Sequence, residues 1–139
     1  MSGEPGGSFV DTNVLVYALA DTDRERSPRA QELLRTLMAN GELLTSTQVL
    51  LELYVTLTRK VTPRLLPEQA LRYVENLSIW PVAETNYSVV LEAIQFSSGR
   101  SISLWDALIV VAAARSGAKL LYTEDLQHGQ TLMGVKVVN

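Results

Sequence analysis

Short apolar segments alternate with segments of helical character along the chain from residue 8 onward, and this alternation constrains the fold more than any other feature. It is typical of an α/β protein in which a parallel sheet is covered by helices on both faces. The predicted strands are residues 8–10, 43–45, 79–82, 120–122 and 135–138, and the predicted helices are residues 13–20, 28–40, 47–60, 67–77, 86–98 and 103–116.

Serine and proline residues set two of these predicted boundaries. Ser27 is expected to cap the second helix, with Pro28 at its first position. Pro81 has no backbone N–H to donate, so the strand around it is expected at an edge of the sheet.

The composition fits one compact domain. The chain has 139 residues, 47% of them hydrophobic, and its net charge of −3 argues against a strongly basic nucleic-acid binder. It has no cysteine, which excludes disulfides and thiolate metal sites and fits a reducing cytoplasm, and no apolar run of membrane-spanning length. We expect residues 1–7 to be a flexible lead-in without the character of a signal peptide, and residues 8–139 to form a single domain.

Polar residues follow several of the predicted strands. Asp11 follows the first strand, Asp125 follows LLYT, and residues 45–47 begin the helix that carries Glu52. Because ligands bind beyond the carboxyl ends of the strands in such sheets, we expect these groups to emerge at the same rim.

Each of these acids also has a purely structural interpretation. Asp11 fits a helix N-cap, Asp125 fits the cap of a short helix, and the neighbouring Glu124 is expected to be solvated. Asp106, in SLWDALIVVAAA, lies three residues after Ser103, which is the spacing of a capping box. For each acid taken singly, these alternatives stay open.

Glu52 lies in the apolar stretch VLLELYVTL, on a stripe with Gln48, Thr56 and Arg59. This stripe fits an exposed helix face. Alternatively, the helix is apolar enough to be largely buried, and then the carboxylate needs a partner, because no Lys or Arg stands three or four residues away. A metal ion would be a suitable counter-charge.

Together, the four carboxylates predict a cation site. Like charges gathered at one rim repel each other and raise one another's pKa values, so the cluster requires a cation. Oxygen ligands without cysteine and with a single histidine favour Mg²⁺ or Mn²⁺. A water bound to the metal is then a hypothetical nucleophile, and the metal would also stabilise charge on a phosphoryl oxygen.

Four stretches of the sequence carry a family resemblance: FVDTNVLVYAL, LLELYVTL, SLWDALIVVAAARSGAKLLYTEDLQHGQ and GVKVVN. In this order they resemble the PIN-domain family, and most of all its VapC-type toxins, over residues 8–139. The resemblance implies an α/β/α sandwich with a short-stranded, mainly parallel central sheet, and Mg²⁺-dependent cleavage of RNA. It also implies a homodimer that is held silent by a cognate antitoxin protein, as in a type II toxin–antitoxin pair.

Carried over residue by residue, the resemblance also implies a site. Asp11 and Asp106 are the expected direct ligands of a first Mg²⁺. Glu52 and Asp125 are expected to help bind a second ion or to hold metal-bound waters. The family's small polar helpers fall on Thr12, Asn13 and Thr123.

Other residues and other functions have weaker support. A loop position is favoured over a general base for His128, the single histidine, in QHGQ. Trp105 is expected to point away from Asp106 and to pack in the core or against a subunit rather than stack on a base. A phosphatase is disfavoured because Asn13 stands where its second acid would be. An inactive PIN-like scaffold and a housekeeping PIN nuclease without an antitoxin are the alternatives.

Basic residues follow two of the predicted helices. Arg24, Arg26 and Arg29 follow the first helix, Arg59, Lys60 and Arg64 follow the third, and Arg100 precedes the helix that carries Asp106. For each of them, a solvated surface charge is favoured over a contact for the phosphate backbone of RNA.

Overall fold

The computed structural model describes residues 6–139, so most of the expected lead-in lies outside the described residues. None of the helices in this part of the chain is long and apolar enough to span a membrane. The elements are, in order, β1 (Ser8–Val10), α1 (Thr12–Ala20), α2 (Arg26–Ala39), β2 (Leu43–Ser46), α3 (Thr47–Arg59), α4 (Pro67–Leu77), β3 (Val82–Ala83), α5 (Tyr87–Ser97), α6 (Leu104–Arg115), β4 (Leu120–Tyr122), β5 (Thr131–Leu132) and β6 (Val135–Val138).

The strand β1 lies inside a sheet with the order β3, β2, β1, β4, β6, β5. Phe9 of β1 pairs in parallel with Leu44 of β2 on one side and with Leu121 of β4 on the other. Pairing of β3 with β2 and of β6 with β4 is also parallel, whereas β5 runs antiparallel to β6. The predicted mainly parallel sheet is thus confirmed, and the carboxyl ends of β1, β2 and β4 lie side by side at one edge.

Helices cover both faces of this sheet. Phe9 and Val10 point to opposite faces of β1, and both are buried, which requires cover on each side. In α6, residues 107–113 are all buried, as expected for a helix that is apolar all round. The helix α1 packs against α2 and α3, α4 packs against α3, and α5 packs on α6. The predicted α/β/α architecture is therefore confirmed.

The strand predicted over residues 79–82 is displaced in the structure. The chain leaves α4 in a tight turn, because the backbone N–H groups of Ser78, Ile79 and Trp80 donate to carbonyls in the last turn of α4. The strand β3 therefore begins only after Pro81. It lies at the end of the strand order, so the predicted edge position is confirmed.

The short strand β5 is absent from the predicted strands. Thr131 and Leu132 pair with Lys136 and Val135 around a two-residue turn formed by residues 133–134. Met133 and Gly134 have φ angles of +50° and +81°, the left-handed conformation that such hairpin turns require. Methionine rarely adopts this conformation, so the Met-Gly pair carries little of the usual hairpin signal.

The cap predicted for α2 is wrong. The helix begins at Arg26, so Ser27 lies inside its first turn. The carboxylate of Asp23 instead accepts the N–H groups of Glu25 and Arg26, at 2.9 and 2.8 Å. The hydroxyl oxygen of Ser27 is buried and accepts the N–H of Asp23 at 3.1 Å, so the serine closes the turn from the helix side.

Candidate active site

A pocket of about 410 Å³ lies where the chain leaves β1 and β4. Its walls come from the start of α1, one face of α3 and the start of α6. Thr12 and Asn13 line it, and Thr123 contacts it through a hydrogen bond to an acid. The structure brings together in this pocket all four acids that the sequence singles out: Asp11, Glu52, Asp106 and Asp125.

Asp11 is both a helix cap and a pocket carboxylate. Its Oδ1 accepts the backbone N–H of Thr12 at 2.7 Å, which caps α1. Its Oδ2 accepts the hydroxyl of Thr123 at 2.9 Å. The residue is buried, with 6% of its surface exposed. The cap interpretation and the site interpretation are therefore compatible for this acid.

The two residues after Asp11 reach two further acids. The hydroxyl of Thr12 donates to Glu52 Oε1 at 3.1 Å, and the amide Nδ2 of Asn13 donates to Asp125 Oδ1 at 3.4 Å. The turn from strand to helix thus presents a carboxylate, a hydroxyl and an amide in succession. The hydroxyl contacts α3, whereas the carboxylate and the amide both contact the segment that follows β4. This accounts for the small polar residues between two apolar stretches at this point.

Asp106 enters the pocket from the first turn of α6. The hydroxyl oxygen of Ser103 accepts the backbone N–H of Asp106 at 3.0 Å, so Ser103 caps α6 as one half of the expected capping box. The side chain is half-buried and lines the pocket. Because the positive end of the helix dipole favours an anion there, this carboxylate is compatible with both the cap and a ligand role.

Burial and neighbouring charges disfavour the ionised form of Asp11. Burial is the largest cause, and together with the charges of Asp125 and Glu52 it raises the pKa of Asp11 from 3.8 to about 6. The hydrogen bonds from Thr12 and Thr123 oppose this shift by stabilising the carboxylate. These donors are neutral, so they orient the carboxylate but supply no positive charge to balance its negative charge.

The pKa of Asp125 is raised by the same kinds of cause as the pKa of Asp11. Burial is again the main cause that raises its pKa, followed by the charges of Asp106 and Glu124. The ion pairs found within residues 6–139 involve acids outside the quartet. Lys60 lines the pocket and supplies a positive charge there. The pocket therefore carries an excess of negative charge.

The donor set suits a hard divalent cation. Carboxylate oxygens are the ligands that Mg²⁺ and Mn²⁺ prefer, and Asp11 has an uncompensated buried charge to offer. Across the described residues, however, no three acidic or histidine side chains are close enough to enclose a metal ion. Mg²⁺ commonly takes one or two carboxylates and keeps several waters. An open pocket of this kind fits such an ion better than it fits an ion that requires protein ligands on all sides.

The helix α3 supplies one wall of the pocket and is amphipathic rather than largely buried. Its core side consists of Val49, Leu53 and Leu57. Glu52 is half-buried on the other face, with Gln48 and Thr56, and this face ends at Lys60 instead of Arg59. The helix is therefore intermediate between the two interpretations left open by the sequence, and Glu52 lies at a partly solvated wall.

Two exposed apolar side chains also line the pocket. Trp105 and Leu51 are each 66% exposed. Trp105 does not point away from Asp106 into the core, because it is exposed and lines the same pocket; its packing against a subunit stays a prediction. The burial of α6 begins only at Ala107, so its first turn projects beyond the elements that cover the rest of the helix.

Glu124 is bound by two side chains, contrary to the expectation that it is solvated. Its Oε1 accepts the hydroxyl of Tyr17 at 3.0 Å, and its Oε2 pairs with Arg26 Nε at 3.0 Å. The guanidinium of Arg26 also lies 5.7 Å from the centre of the Tyr17 ring. This network ties α1 and α2 to the segment that carries Asp125.

Asn139 anchors the same segment from the other side. Its Nδ2 donates to the carbonyls of Glu124 and Leu126, at 3.2 and 3.0 Å, and its backbone N–H donates to His128 Nδ1 at 3.0 Å. His128 thus acts as a loop residue, as favoured from the sequence. Asn139 is missing from the predicted site residues. The available signal was its place directly after a strand that ends at the same rim as β4.

Comparison with known proteins gives a family match and structural neighbours. The model of the PIN domain family matches residues 8–131. The crystal structure of Mycobacterium tuberculosis VapC20, a toxin that cleaves the sarcin–ricin loop, is similar with a TM-score of 0.65 and 19% identity, over 86% of this chain and 92% of that chain.

Two further solved structures contain similar chains. DNA-bound VapBC from Salmonella typhimurium has a TM-score of 0.64 at 18% identity, over 96% of this chain and 97% of that chain. VapBC2 from Rickettsia felis, bound to a DNA fragment from its promoter, has a TM-score of 0.64 at 19% identity, over 94% and 96%. A comparison with curated protein sequences gives no match. At these identities, the structural likeness establishes a shared fold.

Proposed function

The chain belongs to the PIN domain family, and on this basis we propose that it is a metal-dependent endoribonuclease that acts in the cytoplasm as the toxin of a type II toxin–antitoxin pair. The observation that carries the proposal is the convergence of four acids from separate segments on one pocket. Because RNA is a polyanion, such a pocket accepts a phosphodiester only with a cation present.

Mg²⁺, or Mn²⁺ in its place, would be held by Asp11 and Asp106. Glu52 and Asp125 would serve as further ligands or as acceptors for coordinated waters. When bound, such an ion supplies positive charge to a phosphoryl oxygen and lowers the pKa of a coordinated water.

The polar side chains of the pocket orient the acids for this task. The N–H of Thr12 and the hydroxyl of Thr123 each occupy one lone pair of the Asp11 carboxylate and leave the others free for a cation. The hydroxyl of Thr12 holds Glu52, and the amide of Asn13 holds Asp125. Because all these donors are neutral, they fix the acids in place while the pocket keeps the charge that attracts a cation.

The proposal is tested by digesting mixed RNA oligomers with the purified protein, first with Mg²⁺ and then with excess EDTA. We expect cleavage that requires the ion and is lost in Asp106→Asn. Glu75→Gln, which neutralises an exposed acid on α4, is the matched control and should cleave like the wild type. Cleavage that persists in EDTA and in Asp106→Asn would exclude this site. No cleavage with either Mg²⁺ or Mn²⁺ would favour an inactive PIN-like scaffold.

The likeness to VapBC structures supports a protein partner. We propose that a cognate antitoxin binds this chain and silences it, and that the free protein is a homodimer. Expression of the chain alone is expected to arrest growth, and co-expression with the reading frame next to its gene is expected to restore it. Light scattering on the free protein measures its mass. RNA cleavage in vitro without any growth arrest would favour a housekeeping nuclease instead.

A further inference from the structure

An uncovered indole lies at the acid pocket. Trp105 lines the pocket from the first turn of α6 and is 66% exposed. Leu51 lines it from α3 and is exposed to the same extent. Each of them directly precedes a pocket acid, Trp105 before Asp106 and Leu51 before Glu52. The pocket thus combines carboxylates with two apolar side chains that the fold leaves in water.

The exposure of Trp105 is not a consequence of a loosely packed helix. Residues 107–113 of α6 are all buried, so the helix is packed immediately beyond this first turn. An indole has one of the largest apolar surfaces of any side chain, and its contact with water is unfavourable. Covering the indole would therefore make the free energy of ligand binding more favourable, and no part of the core would have to move.

The chemistry beside Trp105 matches single-stranded RNA. Lys60 lines the same pocket from the end of α3 and offers a positive charge to a phosphate. An aromatic face beside a cation is the combination that binds single strands, because the base stacks on the ring while the backbone meets the charge. In a duplex, the faces of a base are covered by its neighbours, so only an unpaired base can stack in this way.

From this juxtaposition, and resting on the proposed function, we propose that Trp105 is the stacking platform for one unpaired RNA base. This platform selects single-stranded RNA and places the adjoining phosphodiester at the acids. Lys60 contacts a flanking phosphate.

A second copy of this chain is the other candidate to cover Trp105. A subunit contact that covers the opening of the pocket would also enclose the pocket acids. Removing them from water is energetically unfavourable for unpaired charges. A single stacked base covers the indole and leaves the pocket open to ions and solvent. The charge of the pocket therefore favours RNA as the occupant.

The test measures binding separately from cleavage. In an Asp11→Asn background, fluorescence anisotropy gives the Kd of a labelled single-stranded oligoadenylate and of an abasic oligoribonucleotide of the same length. Trp105→Ala is expected to weaken oligoadenylate binding by roughly 5- to 150-fold, the loss of one stacked base, and to leave the abasic strand unaffected. Trp105→Phe should restore most of the affinity. Tyr87→Ala, which removes an aromatic side chain that is 78% exposed on α5, is the matched control and should bind like its parent.

A second measurement does not depend on truncating the side chain. In a Trp80→Phe variant, Trp105 is the remaining tryptophan, and oligoadenylate should quench its fluorescence while the abasic strand should not. Unchanged oligoadenylate affinity in Trp105→Ala would overturn the proposal. A change in the oligomeric mass of Trp105→Ala without a change in its RNA affinity would also overturn the proposal, because the indole would then belong to a subunit contact.

These outcomes separate the inference from the proposed function. Cleavage that requires Mg²⁺ and Asp106 but ignores Trp105 would keep the nuclease and remove the stacking platform. Oligoadenylate quenching of Trp105 in a protein that cleaves no RNA would keep the platform and remove the nuclease.

Discussion

The hydroxyl of Thr123 donates a hydrogen bond of 2.9 Å to Asp11 Oδ2, across 112 residues of sequence. The same hydroxyl oxygen accepts the N–H of Asp125 at 3.1 Å. Thr123 directly follows β4, and Asp11 directly follows β1, its parallel neighbour. The pairing of two short strands therefore brings two acids within reach of one buried side chain.

The substitution Thr123→Val is expected to destabilise both the fold and the site. It keeps the shape of the side chain but leaves Asp11 Oδ2 and the Asp125 N–H without their partner. An unsatisfied buried group costs about 1–3 kcal/mol, so the free energy of unfolding in urea should fall by an amount in this range. RNA cleavage should fall as well. Thr123→Ser retains the hydroxyl and is the matched control; equal stability and activity of the Val and wild-type proteins would show that this hydroxyl is dispensable.

The stability of the metal-free protein is expected to depend on the ionisation of Asp11. Its pKa is raised to about 6 in the fold from 3.8, so the fold favours the protonated acid. This contribution to stability is complete below about pH 4 and is lost as the pH rises through about 6. Relative to Asp11→Asn, the wild type should lose up to about 3 kcal/mol between these conditions, because one pKa unit corresponds to ~1.4 kcal/mol.

Urea unfolding of both proteins in EDTA, at about pH 4.5 and pH 7.5, measures the larger part of this difference. Asparagine is also a favourable N-cap, so the comparison chiefly reports the charge. A stability difference that is the same at both pH values would contradict the prediction.

The secondary structure was predictable at several places where its signals are local. Residues 67–77 carry proline at the first helical position and apolar residues at helical spacing, and α4 has these bounds. The run at residues 120–122 is apolar and ends before polar residues, and β4 has these bounds. By contrast, β5 has two residues and depends on the left-handed conformation of Met133. No sequence pattern predicts this conformation.

The grouping of the four acids at one pocket was also predictable, but the hydrogen bonds around them were not. A carboxylate after a strand of a parallel sheet must lie at the rim, which is sufficient to group Asp11 with Asp125. The exposure of Trp105 depends on which elements cover the first turn of α6, and periodicity carries no such information. The binding of Glu124 by Tyr17 and Arg26 likewise depends on the relative placement of three segments.

Added Mg²⁺ is expected to stabilise the wild-type protein. A ligand that binds only the folded state adds about 2.7 kcal/mol at one hundred times its Kd, so the melting temperature should rise with the ion concentration. The rise should be lost in Asp106→Asn and retained in Glu75→Gln. Melting curves in MgCl₂ are compared with NaCl of the same ionic strength, which corrects for screening. An identical rise in all three proteins would place the ion elsewhere.

The substitution Arg26→Ala is expected to loosen the segment that carries Asp125 with little effect on global stability. The side chains of Arg26 and Glu124 are 58% and 30% exposed, so their pair contributes about 1 kcal/mol or less. Its loss should accelerate hydrogen exchange of the amides at 123–126 and raise the Mg²⁺ concentration needed for half-maximal cleavage. Arg26→Lys should recover part of both. Arg35→Ala breaks the pair with Glu32 on the same helix and serves as the control. If both alanine variants leave exchange and Mg²⁺ dependence unchanged, Glu124 is held without Arg26.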